Sequence, residues 1–132
     1  MSREPRDRGM DVTAFSLERA APVVRPWGSY RTLGSGPGYQ IKQLVVQPGQ
    51  RLSLQKHRHR SEHWVVAAGT ATIVLGQETF TLRPKHCAVI PRQAWHRIEN
   101  HGRTPVVIIE VQHGAILDEN DIIRKQDDYG RK

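Results

Sequence analysis

Past residue 39 the chain is a succession of short runs in which apolar and polar side chains alternate, each closed by a turn former. The runs span 39–47, 53–58, 62–68, 71–75, 78–82, 87–91, 95–100 and 106–112, and they are rich in β-branched residues. A period of two sends successive side chains to opposite faces, so each run predicts a β-strand with one face against a core. Between them lie Pro48-Gly49, Gly69-Thr70, Gly76-Gln77, Arg83-Pro84 and His101-Gly102. Strands this short, with turns recurring every ~8–12 residues, predict an antiparallel sandwich or barrel. The alternation over 25–33 adds one edge strand. Residues 1–20 are polar without a sustained apolar period and are expected to be disordered or loosely attached, leaving 21–132 as one domain. Near the other end Asp118, Glu119 and Asp121 precede Ile122-Ile123-Arg124, and acidic residues in that position predict one or two turns of helix. The expected fold class is all-β with a short C-terminal helical segment.

Composition supports that reading and narrows the function. Nineteen of 132 residues are Gly or Pro (11 + 8), a density of turn formers that argues against a helical bundle. Cys87 is the single cysteine, which excludes an internal disulfide framework and a cysteine-only zinc site. No apolar run approaches the ~20 residues that span a bilayer, and no signal-peptide pattern follows the N-terminus. A soluble, cytoplasmic protein with no membrane partner is expected. The net charge of +7 divides unevenly: residues 21–117 carry twelve basic and four acidic side chains, against four and four in 1–20 and four and five in 118–132. The excess belongs to the folded body and suits either a solvated surface or an anionic ligand. Nucleic acid is disfavoured, because aromatics for base stacking make up only 6% of the chain and no recognition motif is present.

The chemistry concentrates between Gly49 and Gly69. Gln55, His57 and His59 are spaced by two, which on a strand places all three on one face. After a tight connection near Arg60-Ser61, Glu62 opens the next strand with its carboxylate beside them. Farther on, His96 follows a turn at Pro91. Two imidazoles, a carboxylate and one more N or O donor form a ligand set for a divalent metal ion such as Zn²⁺, Fe²⁺ or Mn²⁺. His86, His101 and His113 are read instead as packing or hydrogen-bonding residues. Trp64 shares the phase of Glu62 and Val66 and should face the interior, as core or as a stacking surface for a sugar; His63 should face outward.

These spacings resemble the two cupin motifs. Gly49, Gln55, His57, Glu62 and Gly69 reproduce the first, with Gln55 in the place of its first histidine. Pro91, His96 and Asn100 match the second, in which Lys85 and Gln93 replace the two glycines and leave the turn geometry in question. The resemblance implies a double-stranded β-helix, the jelly-roll barrel. Within the cupins, QKHRHRSEHWVVAAGTA closely resembles the signature of type II phosphomannose isomerases, in which a cupin domain follows a mannose-1-phosphate guanylyltransferase domain. The run at 25–30, HRIEN at 96–100 and the tail from Asp121 through Arg131 extend the likeness over about 22–131.

The resemblance implies interconversion of mannose 6-phosphate and fructose 6-phosphate with a divalent metal, zinc foremost and Mn, Co, Fe or Ni as alternatives, and without guanylyltransfer. Carried over by motif, its metal ligands are Gln55, His57, Glu62 and His96. A rival assignment pairs His57 with His59 and leaves Gln55 out; it ranks second because only two residues then separate His59 from Glu62. Aldose–ketose exchange needs a base for the proton that moves between C1 and C2. His59 and Glu62 are candidates, with Arg60 to hold the phosphate or an enediolate oxygen and Arg124 and Arg131 to close over the phosphate. Trp64 joins the expected substrate contacts. The alternative is a non-catalytic or differently reacting metal-binding cupin that binds a sugar or nucleotide sugar. A homodimer is expected, with the stretches at 45–46 and 106–111 as candidate contact area.

Overall fold

In the computed structural model, which describes residues 11–131, twelve strands form two antiparallel sheets. They are β1 Ser16–Leu17, β2 Val23–Arg25, β3 Gly28–Gly36, β4 Tyr39–Val46, β5 Leu54–Lys56, β6 Arg60–Ala68, β7 Ala71–Leu75, β8 Glu78–Leu82, β9 Cys87–Ile90, β10 His96–Glu99, β11 Val106–Gly114 and β12 Ile123–Gln126. The larger sheet runs β1-β3-β4-β11-β6-β9 with β2 also on β3; the smaller runs β12-β5-β10-β7-β8. The all-β expectation therefore holds, and its strand runs fall within a residue or two of the observed elements over most of the chain. Of the segment expected to be loose, residues 1–10 lie outside the described residues, while Ser16 and Leu17 pair with Ser35 and Gly34 along β3. No helix among the described residues is long and apolar enough to cross a membrane.

The core lies between the sheets. Leu44 and Val46 from β4, Trp64 and Val66 from β6, Ile90 from β9, and Val106 and Ile108 from β11 meet Ala71, Ile73, Leu82 and Ile98 from the smaller sheet. Complete burial of an aliphatic side chain such as Ile73 or Ile98 contributes about 1.5–3 kcal/mol, and these contacts hold the sheets face to face. The apolar stretches at 45–46 and 106–111 divide by phase. Val46, Val106 and Ile108 enter this core, whereas Val45, Val107, Ile109 and Val111 are only half-buried on the outer face.

The C-terminal helix is not present, and the segment is a strand instead. The Asp118 carboxylate accepts the Asn120 N–H at 2.8 Å and its carbonyl accepts the Asp121 N–H at 3.0 Å, closing a turn where the sequence pattern suggested a helix cap. The β-branched residues that follow then find an unpaired edge at β5, so Ile123 pairs with Lys56 and Arg124 with Gln55. An acidic cap nucleates a turn as readily as a helix, and the open sheet edge decides between them.

The turns of the second cupin-like motif keep a glycine geometry without glycine. Lys85 and Gln93, the replacements, have φ of 78° and 68° and are the non-glycine residues of positive φ among those described. Each is held by its backbone: the Lys85 N–H bonds Val66 O at 2.9 Å, and the Gln93 N–H bonds His57 O at 2.8 Å. By contrast Gly69, at φ 77°, is required sterically, because a Cβ there would sit 2.5 Å from the Pro105 carbonyl oxygen. A left-handed conformation costs a non-glycine residue about 1–2 kcal/mol, more than the unfolded-state entropy that glycine adds. Lys85→Gly and Gln93→Gly, both at exposed positions, are therefore expected to raise stability by roughly 0.5–1 kcal/mol each, a few degrees in Tm. Thermal melts of the two variants check this, and a lowered Tm in both would refute it.

Candidate metal centre

Three strands of the larger sheet carry apolar side chains toward one end of the barrel and polar ones toward the other. On β6 the inward series is Arg60, Glu62, Trp64, Val66; on β4 it is Lys42, Leu44, Val46; on β11 it is Val106, Ile108, Glu110, Gln112, running oppositely. Register places Glu110 beside Lys42 and Trp64, and Gln112 beside Glu62. The polar halves thus line a common cavity of about 380 Å³, within the ~300–1,000 Å³ typical of small-molecule sites.

At its wall stand His57 and Glu62, with His96 buried beside Glu62. Glu62 is 2% exposed, with Oε2 3.5 Å from His57 Nε2 and Oε1 3.5 Å from His96 Nε2. The remaining ring nitrogens are oriented by backbone carbonyls: His57 Nδ1 lies 2.5 Å from Asp121 O, and His96 Nδ1 lies 2.9 Å from Ala94 O. A carbonyl only accepts, so both rings carry their proton on Nδ1 and turn the Nε2 lone pair toward Glu62. Burial pushes both imidazoles down to about 4, and the Arg60 charge adds to the effect at His57. Both are neutral near pH 7, the form a metal requires.

The donor set fits a divalent cation. One ligand atom from each of the three residues lies within 4.8 Å of the others. Ligands ~2.0–2.2 Å from a tetrahedral ion stand roughly 3.4 Å apart, close to the two 3.5 Å separations. His96 Nε2, moreover, is buried without a hydrogen-bond partner. A cation would share its ligands with Arg60, whose guanidinium donates to Glu62 Oε2 at 2.9 Å and to His57 Nε2 at 3.2 Å.

The other expected site residues divide. Gln55, Arg60, Trp64, Arg124 and Arg131 line the cavity with His57 and Glu62. Gln55 is paired with His96 across β5 and β10, and its Oε1 accepts from Ser53 Oγ at 3.0 Å. Trp64, 1% exposed, belongs to the core and meets the His96 ring edge-on at 5.5 Å, with its indole N–H buried and unpartnered. His59 is not brought to the trio: it is exposed and lines a separate shallow depression with Arg58 and Ile116. The alternation that placed Gln55, His57 and His59 on one face stops because β5 ends at Lys56, and the chain bends through residues 57–59.

Lys42, Glu110 and Gln112 also line the cavity, and no motif pointed to them. Burial pushes Glu110 up, reinforced by the neighbouring Glu62 charge, and pushes Lys42 down against the pull of Glu110. Lys42 also pairs with Glu119 from the tail. Counting Arg25, Lys42, Arg60, Arg124 and Arg131 against Glu62, Glu110 and Glu119, the walls carry five cationic side chains and three carboxylates.

This geometry can be set beside known proteins. A family model described as mannose-6-phosphate isomerase C-terminal matches residues 15–127. The chain belongs to that family. It is 49% identical over 109 residues to the alginate biosynthesis protein AlgA of Pseudomonas aeruginosa and 46% identical over 109 residues to the xanthan biosynthesis protein XanB of Xanthomonas campestris, each match covering 83% of this chain and 23% of the relative. The match to the Pseudomonas putida AlgA reaches 47% over 125 residues, or 95% of this chain and 25% of that protein. The chain thus spans about a quarter of the length of the curated relatives it matches. Among solved structures, an oxalate decarboxylase of Lactobacillus farciminis superposes with a TM-score of 0.69 at 23% identity, over 79% of this chain and 33% of that one. The Schizosaccharomyces pombe Cnp3 cupin domain superposes with a TM-score of 0.61 at 16% identity, over 65% and 64%. At such identities the likeness is one of fold, and the family member described here is an all-β cupin.

Proposed function

We propose that this domain is a metal-dependent isomerase that interconverts mannose 6-phosphate and fructose 6-phosphate. The observation that carries the reading is the buried trio His57, Glu62 and His96, two of whose members line a cavity in which cationic side chains outnumber carboxylates five to three. A divalent cation, zinc foremost, held by these three with Gln55 as fourth ligand, supplies a Lewis acid for the oxygens on which charge develops during aldose–ketose exchange.

The chain's own residues supply the rest. Arg124, Arg131 and Arg25 line the cavity and offer charge-assisted bonds to a phosphate. Arg60 holds Glu62 and His57 in place while adding positive charge beside the reacting carbons. Trp64 presents its edge and its indole N–H to a bound sugar. Glu110 and Lys42 are buried cavity groups outside the trio that can hold a proton near the substrate. His59, exposed and lining a separate depression, has no part in this scheme. The half-buried outer face of Val45, Val107, Ile109 and Val111, with exposed Val65 and Val89, supports a homodimer; equilibrium sedimentation should give twice the chain mass, and a monomer at micromolar concentration would refute it.

A second reading rests on Arg60, whose guanidinium already engages Glu62 Oε2 and His57 Nε2: a cupin that binds a sugar phosphate or nucleotide sugar without turning it over. A coupled assay of mannose 6-phosphate with added Zn²⁺, Co²⁺ or Mn²⁺ separates the two. Turnover that chelator abolishes and metal restores is expected, with Glu62→Gln and His96→Ala lowering it at least about 100-fold, beyond the ~10–100-fold of outer-shell partners. Folded, metal-loaded protein with neither turnover nor isotope exchange at C2 would remove the isomerase reading and leave the binding one.

A further inference from the structure

We propose that Asp121, 64 residues from His57 along the chain, is the positioning residue of the metal centre, gripping three consecutive residues so that His57 presents Nε2 to the trio. This builds on the metal-site reading above. Between β5 and β6 the ladder lapses, and the N–H groups of Arg58 and His59 have no strand partner. The two Asp121 carboxylate oxygens take one each, Oδ1 from Arg58 N at 2.9 Å and Oδ2 from His59 N at 2.9 Å. Its backbone carbonyl receives His57 Nδ1–H at 2.5 Å. One residue thus fixes both the path of the loop and the tautomer of the imidazole.

Asp121 can do this because it is itself held on both sides. Its N–H bonds Asp118 O, the same carbonyl that faces Arg60 Nη1 at 3.5 Å, and the Asp118 carboxylate closes the turn on Asn120. Immediately after it, Ile123 pairs with Lys56, so β12 docks the tail against the strand that leads into His57. From the opposite side Gly114 makes room, since a Cβ there would collide with the His59 carbonyl. His96 is built differently. Its Nδ1 bonds Ala94 O, two residues away within its own turn. Loosening the tail should therefore disturb one histidine of the trio and spare the other.

That asymmetry separates a positioning role from a general structural one. In metal-free wild-type protein, long-range ¹H–¹⁵N spectra should show His57 and His96 as Nδ1–H tautomers. Asp121→Ala should shift His57 toward a tautomer mixture and leave His96 unchanged. Co²⁺ titration followed by visible absorption should show affinity reduced roughly 10–100-fold. Asp121→Asn keeps a single acceptor oxygen and should fall between, and it carries the test if the alanine variant does not fold. Unchanged His57 resonances with Co²⁺ affinity within twofold of wild type would overturn the proposal, as would equal disturbance of both histidines. If wild-type protein binds neither Co²⁺ nor Zn²⁺, the metal reading fails on its own, and the tautomer comparison still decides the role of Asp121.

Discussion

A carboxylate buried to 2% exposure is the constraint around which this barrel is arranged. Removing an ion of that size from water costs several kcal/mol even after relaxation, unless charges and donors replace the solvent. At Oε2 Arg60 does so, whereas the His57 and His96 Nε2 lone pairs that face the two oxygens offer no donor, an opposition that a shared cation would relieve. The arrangement is expensive to disrupt from either end, because removing one partner leaves the others buried with unanswered polarity. It also concentrates electron-donating atoms in the way a divalent cation needs.

Strand alternation delivers that polar cluster without dismantling the core. The inward faces of β4, β6 and β11 change character partway along, from Val46, Val66, Val106 and Ile108 to Lys42, Glu62, Glu110 and Gln112. One end of the sandwich is sealed by aliphatic packing while the other becomes a cavity. The smaller sheet brings Gln55 and His96 side by side from β5 and β10, and β12 extends that sheet so that the tail reaches over the opening. Further along, Arg51 holds Asp128 with two nitrogens at 2.7 and 2.9 Å, and Tyr129 donates to Gln50, which anchors the segment bearing Arg131. The C-terminal strand is thus part of the site and not an appendix.

Much of this could be read from the residues, because strand period and motif spacing are local properties. His57, Glu62 and His96 were identifiable from spacing, and Trp64 from its phase with Val66. Lys85 and Gln93 stood out as replaced glycines, and their positive φ shows that backbone hydrogen bonds can hold a left-handed turn without one. What escaped was set by tertiary context. On β11 the outward positions Val107, Ile109 and Val111 are more apolar than the inward Glu110 and Gln112, so hydropathy alone assigns the face wrongly. A mark was present in the phase that Glu110 and Gln112 share with Val106 and Ile108, but only the opposing sheet shows which phase is interior. His59 and the tail failed for a related reason. The loop bends because Asp121 caps it, and β12 forms because β5 offers an edge, two long-range facts that no local window contains.

The central claim is that His57, Glu62 and His96 share one cation. Crystals grown with Co²⁺, with diffraction recorded on both sides of the cobalt absorption edge, test it without reference to turnover. A single dominant anomalous peak is expected within about 2.0–2.3 Å of His57 Nε2, His96 Nε2 and a Glu62 carboxylate oxygen. A map flat at the trio, with cobalt instead at the exposed His63–His113 pair, would contradict it.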